Sequence, residues 1–121
     1  MAELGVPGRV VTDRAELAGR DSELREAFDV ATARAVSSAP TVAELLVPFL
    51  RVGGKAVLQR GSLEPRERDA LTDAALMLGA RMLEERTLEG GRRVVILVKE
   101  QSTPERFPRR PGVPEKRPLC L

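Results

Sequence analysis

The sequence predicts a small α/β domain built on a mainly parallel sheet whose last strand is antiparallel to its neighbours. Two observations lead to this prediction. Strand-like and helix-like stretches alternate along the chain, and the most apolar run, Val94–Val98, lies in a closing hairpin. The 121 residues, of which 42% are apolar and 31% charged, are enough for one domain.

Short β-branched and apolar runs predict five strands, at residues 9–12, 28–32, 55–59, 81–87 and 93–99. A helical turn from Asp21 or Ser22 to Glu26 separates the first two strands. Glu89-Gly90-Gly91 joins the last two as a hairpin. Because the Val94–Val98 run is so apolar, we expect its strand to be central and covered on both faces.

Two amphipathic helices, residues 41–50 and 64–78, are predicted to pack on this sheet. Thr41 has the character of an N-cap, and Glu44 three residues later completes a capping box. We expect Gly53-Gly54 to end the first helix and Gly79 to end the second. The alternation of predicted strands and helices is Rossmann-like. However, the sequence has no Gly-x-Gly motif to hold a phosphate group.

Composition excludes several kinds of function. The absence of His excludes Ser-His-Asp catalysis and His-ligated metal, so no metal site is predicted. Cys120 is the one cysteine, so no disulfide forms within the chain. No apolar run approaches the roughly 18 residues of a membrane span, and no signal-peptide pattern is present. We therefore expect a cytoplasmic protein with no membrane contact.

The C-terminal part differs in composition from the rest, which predicts a body at residues 1–100 and a Pro/Arg-rich basic arm at 101–121. Five of the nine prolines lie in the arm, so it is expected to be extended rather than helical. Residues 99–121 hold six basic and three acidic residues, a net charge of +3. Such an arm could contact RNA, remain a disordered tail, or fold back as a strap that buries Phe107 and Leu119.

Two further places could bind a ligand, because each follows a strand at its carboxyl end. The first is the charged stretch Asp13-Arg14-Ala15-Glu16, whose alternative interpretation is a solvated loop. The second is Arg34, the lone charge between Val30 and Ala39. An isolated arginine suits a carboxylate or phosphate, and the alternative is a strand-end side chain that reaches solvent.

Three segments together resemble one protein family. They are FDVATARAV at residues 28–36, LRVGGKAVLQRG at 50–61 and TPERFPRRPGVPEKRPL at 103–119. They are similar to the RsmG (GidB) family, methyltransferases that modify N7 of a guanine in bacterial small-subunit ribosomal RNA. The resemblance implies a partial Rossmann-like, class I S-adenosylmethionine-dependent methyltransferase fold that lacks its first two strands. The strand at residues 9–12 would then have no neighbour.

The resemblance also implies functional residues, although no catalytic residue. Ala15, Glu16 and Arg34 would contact S-adenosylmethionine, with the first two against its adenosine part. Arg60 replaces the lysine of the family's Lys-Gly pair. Together with Arg60, the arm would contact ribosomal RNA through Arg106, Phe107, Arg109, Arg110, Lys116 and Arg117, with Phe107 stacking on a base.

Two functional hypotheses follow. In the first, the chain is the C-terminal half of a ribosomal RNA methyltransferase and is inactive alone. In the second, it is a non-enzymatic RNA-binding remnant of such an enzyme. Both predict small-subunit ribosomal RNA as the partner.

Overall fold

A computed structural model of the chain describes residues 4–6, 9–11, 24–34, 38–61 and 63–121, the first two ranges by their backbone alone. The strands are β1 (Leu4–Val6), β2 (Arg9–Val11), β3 (Phe28–Arg34), β4 (Leu50–Arg60), β5 (Ala80–Thr87) and β6 (Arg93–Lys99). The helices are α1 (Ala39–Leu46), α2 (Pro65–Leu78) and the short α3 (Val113–Lys116). Two 3₁₀ turns, Val47–Phe49 and Glu89–Gly91, complete the described elements.

The six strands form one mixed sheet in the order β2-β1-β3-β4-β6-β5. β3 and β4 pair in parallel, and β6 lies antiparallel between β4 and β5. The predicted α/β class, the antiparallel last strand and the hairpin of β5 and β6 are therefore confirmed. The prediction of a mainly parallel sheet is wrong, because β3 and β4 form the one parallel pair among the described strands. The apolar run in β6 is central as expected, but only Val95 and Leu97 are fully buried, whereas Val94, Ile96 and Val98 are half-buried.

The predicted isolation of the strand at residues 9–12 is wrong. β2 pairs antiparallel with β1, and β1 joins the sheet through the register pair Gly5 and Thr32 of β3. A local hairpin therefore supplies the backbone partners that an edge strand would otherwise lack. Thr12 and the first half of the predicted helical turn, residues 21–23, lie outside the described residues, and 24–26 form a turn.

The glycine pair Gly53-Gly54 lies inside β4 and does not end a helix. α1 ends at Leu46, and the 3₁₀ turn leads directly into β4. A Cβ on Gly54 would lie 3.0 Å from the carbonyl oxygens of both Phe28 and Asp29. Gly54 therefore allows β4 to approach β3 closely, next to the register shift between Phe28 and Val30.

The predicted capping box is also wrong. α1 begins at Ala39, with Ser38 as its N-cap residue, so Thr41 lies within the first turn. The Ala39 amide donates to the Glu67 side chain at 2.9 Å, while the Thr41 hydroxyl donates to the Pro114 carbonyl at 2.7 Å. Glu44 binds Arg109 instead. Thr41 and Glu44 therefore bond to residues of the strap instead of making the local hydrogen bonds of a capping box.

The core lies on one face of the sheet. Ala31, Ala33, Ala56, Leu58 and Leu97 point to that face, where they meet the apolar sides of α1 and α2. The rings of Phe28 and Phe49 lie 6.3 Å apart in a tilted arrangement. They close the core at the N-terminal ends of the parallel strands β3 and β4.

Residues 101–121, which we call the strap, fold back over the two helices. The Thr103 hydroxyl donates to the Leu78 carbonyl at 2.7 Å. Arg25 donates to the carbonyl oxygens of Thr103, Pro104 and Phe107 at 2.6 to 3.1 Å. Phe107 and Leu119 are 2% and 8% exposed, within the core. The structure therefore shows a packed strap rather than a disordered tail, and RNA contact through its exposed side chains stays a prediction.

The expectation that the strap holds no helix is wrong. Pro114 lies in the first turn of α3, where a missing N–H leaves no helical hydrogen bond unmade. A helix can therefore form in this proline-rich strap because it is only four residues long and holds its one proline in the first turn.

Lys99 connects the end of β6 to the start of the strap. Its side chain is fully buried, donates to the Val47 carbonyl at 3.1 Å and lies 2.8 Å from a Glu26 carboxylate oxygen. Burial lowers the pKa of Lys99; Glu26 opposes that shift and Arg25 adds to it.

We expect Gly79→Ala to lower the free energy of unfolding more than Gly90→Ala does. Both residues have a positive φ, which costs an alanine on the order of 1–3 kcal/mol. At Gly79 the new Cβ would also lie 2.5 Å from the Gln101 carbonyl oxygen, whereas nothing lies within 4 Å at Gly90. Urea denaturation of the two variants measures the difference. Equal losses would contradict the close approach of the strap to Gly79.

We expect stability to rise with pH below the ordinary pKa of lysine because of Lys99. Between its lowered pKa and that of an unfolded lysine, the unfolded state binds more protons, so the free energy of unfolding increases with pH. Lys99→Met removes this rise, which urea denaturation at several pH values measures. Both proteins carry Cys120→Ser, since burial raises the pKa of Cys120 and acts in the opposite direction. Parallel pH profiles would refute the prediction.

Candidate functional site at the carboxyl edge of the sheet

The parallel strands β3 and β4 end side by side. Arg34, the last residue of β3, is in register with Gln59, and Arg60 follows at the end of β4. The alternation along β3 turns Ala31 and Ala33 inward and leaves Arg34 exposed. This edge, together with the first turn of α1, is the carboxyl edge, where open α/β sheets bind their ligands.

Arg34 and Arg60 differ in their surroundings. Within the ranges that the structure describes, the Arg34 guanidinium makes no hydrogen bond or ion pair. Arg60 lies 2.9 Å from Glu67, whose carboxylate also accepts the Ala39 amide. Glu67 therefore joins Arg60 to the beginning of α1, where a negative charge is favourable. Among the described residues of this edge, Arg34 is therefore an exposed cation whose guanidinium has no described partner.

A second set of hydrogen bonds connects the same helix turn to the strap. The Ser38 and Thr41 hydroxyl oxygens lie 2.8 Å apart, and Thr41 donates to the Pro114 carbonyl in α3. The first turn of α1 is thus bonded to Arg60 through Glu67 and to the strap through Thr41. Arg60 and the strap, which are far apart in sequence and both predicted to contact RNA, are thus linked to the same end of α1.

The predicted RNA contacts of the strap separate into two groups. Arg106, Arg110, Lys116 and Arg117 are exposed. Arg109 is bonded to Glu44, a carboxylate with no exposed surface. The contact of these exposed cations with RNA stays a prediction.

Phe107 has a different environment from the one that base stacking requires. Its ring is buried in the core, and the Arg106 guanidinium lies 4.9 Å from the ring centroid. In this conformation the ring is not accessible to a base. Ala15 and Glu16 lie outside the described residues, so their contact with adenosine stays a prediction.

Sequence reasoning missed the residues that organise this edge: Ser38, Thr41 and Glu67. Glu67 is an acidic residue in the first turn of α2. That position predicts a favourable interaction with the dipole of α2 itself, not a bond to α1. Nothing in the sequence indicates that it bonds to another helix.

Among the described residues, no helix combines the length and apolar character that crossing a membrane requires. In the same part of the chain, no three Cys, Asp or Glu residues are grouped so that they could hold a metal ion.

Comparison with known proteins gives a consistent result. A family model described as rRNA small subunit methyltransferase G matches residues 1–96. Relatives named ribosomal RNA small subunit methyltransferase G include one from Rubrobacter xylanophilus, 45% identical, and one from Synechococcus sp. strain WH7803, 42% identical. The alignments cover 96% and 98% of this chain but 48% and 49% of the relatives. The chain thus spans about half the length of the curated relatives it matches.

A solved structure is also similar. It is a 16S rRNA N2 G1207 methyltransferase (RsmC) from T. thermophilus in complex with AdoMet and guanosine. It is 23% identical with a TM-score of 0.47, over 66% of this chain and 22% of that one.

We expect Phe107→Leu to leave RNA affinity unchanged and Phe107→Ala to lower the free energy of unfolding by about 3–5 kcal/mol. Leucine preserves most of the buried contact but removes the aromatic ring. Fluorescence anisotropy with labelled oligouridine measures affinity, and urea denaturation measures stability. A loss of affinity in a stable Phe107→Leu protein would restore the stacking role.

Proposed function

This chain belongs to the rRNA small subunit methyltransferase G family, and on that premise we propose that it is the C-terminal half of an S-adenosylmethionine-dependent methyltransferase. The proposed reaction is methylation of guanine N7 in small-subunit ribosomal RNA. The observation that carries the proposal is the family match over residues 1–96. The exposed Arg34 at the carboxyl edge supports it.

The residues at this edge fit part of the cofactor. S-adenosylmethionine would supply an electrophilic methyl group when bound. Arg34, exposed and without a described partner, offers five donors to an anionic or hydroxyl-bearing group. Ala15 and Glu16 are proposed to complete that contact. Because these residues cover only part of the cofactor, we propose that the chain alone is inactive.

The RNA contact is proposed to come from the exposed cations of the strap and from Arg60. Arg106, Arg110, Lys116 and Arg117 are exposed. Arg60 is linked through Glu67 to the helix turn that also binds the strap. Guanine N7 is already nucleophilic, so the protein's task is to orient the base rather than to remove a proton. The absence of His from the sequence is compatible with that mechanism.

A second candidate is an RNA-binding protein without activity. The exposed cations of the strap favour it, because their contact with phosphates requires no cofactor. The two candidates differ in whether this chain supports methyl transfer when the rest of the enzyme is supplied.

A chimeric enzyme tests the proposal. This chain replaces the aligned segment of the Rubrobacter xylanophilus relative, and methyl transfer from radiolabelled S-adenosylmethionine to small-subunit RNA is measured. We expect activity, and we expect Arg34→Ala to raise the KM for the cofactor about ten- to a hundredfold, the effect of one lost charge-assisted hydrogen bond.

Arg51→Ala is the matched control, because Arg51 is exposed and pairs with Asp29 at the opposite edge of the sheet. It is expected to leave KM unchanged. A folded chimera that binds RNA without transferring a methyl group would favour the RNA-binding candidate.

A further inference from the structure

We propose that Arg109 is a positioning residue whose side chain holds the loop Arg110–Arg117 in the conformation that presents its exposed cations to RNA phosphates. The inference rests on the proposed RNA contact of the strap. It reassigns Arg109, which the sequence placed among the phosphate contacts.

The anchor of this loop is the Glu44 carboxylate in α1. Glu44 has no exposed surface. The Arg109 amide donates to Glu44 Oε2 at 2.8 Å, and the guanidinium donates from Nε and Nη2 to both carboxylate oxygens at 2.8 to 3.1 Å. This is a bidentate pair with an added backbone bond, which fixes the direction of the side chain as well as its place.

The same guanidinium closes the loop. Arg109 Nη2 donates to the carbonyl oxygen of Arg117, the C-cap residue of α3, at 2.6 Å. The Thr41 hydroxyl holds the middle of the loop through the Pro114 carbonyl. Both ends and the middle are therefore fixed to α1 or to each other.

Arg109 is not suited to contact a phosphate. Leaving Glu44 would strand a buried carboxylate, and breaking such a pair is strongly destabilising. In contrast, Arg110, Lys116 and Arg117 are exposed, and their side chains make no hydrogen bond or ion pair within the described part of the chain. Because the loop is ordered before RNA arrives, its cations bind with a smaller loss of conformational entropy.

Two charge-conserving substitutions distinguish the roles. Lysine keeps the charge of Arg109 but cannot form the bidentate pair and also reach the Arg117 carbonyl. If Arg109 were a phosphate contact, Arg109→Lys and Arg110→Lys would have equally small effects. If it positions the loop, Arg109→Lys weakens RNA binding and Arg110→Lys does not.

The measurement is the affinity of the 121-residue chain for fluorescein-labelled oligouridine across a range of salt concentrations. For Arg109→Lys we expect the log–log slope to become shallower by up to about 2, equivalent to three lost contacts at roughly 0.7 each on a single strand. Circular dichroism confirms that each variant is folded. An unchanged slope in folded Arg109→Lys overturns the inference.

A measurement on the unaltered chain decides the case if Arg109→Lys fails to fold. The amides of Val113, Lys116 and Arg117 donate to carbonyls within the loop. We expect them to be protected from hydrogen exchange in the absence of RNA, and unprotected amides overturn the inference. If the unaltered chain shows no salt-dependent RNA binding while these amides are protected, the proposed RNA contact fails and the ordered loop stands.

Discussion

The buried carboxylate of Glu44 is the constraint on which the arrangement of the strap depends. A carboxylate with no exposed surface requires charged or hydrogen-bonding partners, and Arg109 supplies all those described for it. The strap therefore cannot leave α1 without exposing the core side chains Phe107 and Leu119 and leaving this charge unpaired. Together with Arg25, Thr103 and Thr41, this acidic residue thus holds a proline-rich segment against α1 and the end of α2.

The first turn of α1 is the point where the sheet edge and the strap are coordinated. Glu67 bonds that turn to Arg60, and Thr41 bonds it to Pro114. A ligand at the carboxyl edge and an RNA on the strap would both contact elements that this turn fixes. If both proposed contacts are made, such a shared support would keep the two surfaces at a constant separation, as a reaction that holds a guanine base against a cofactor requires.

The sequence predicts those features that depend on local chemistry. The β5–β6 hairpin and the end of α2 at Gly79 follow from turn residues and periodicity. Arg34 lies at the carboxyl end of β3, as the strand pattern predicts. Thr41 and Glu44 were misassigned because a capping box and a pair of tertiary contacts have the same sequence pattern. The strap remained one of three alternatives, since its composition suits an extended arm as well as a packed one, and Arg25, which holds it, is 82 positions from Phe107.

The packing of the strap has a consequence for how the chain folds during synthesis. The strap is translated after every strand of the sheet, yet Phe107 and Leu119 complete the core beneath it. Contacts of such large sequence separation form late, because closing a long loop is entropically unfavourable. On the ribosome, the side of α1 that the strap covers therefore remains uncovered until the strap has emerged. During that interval the nascent domain exposes the apolar surface that chaperones recognise.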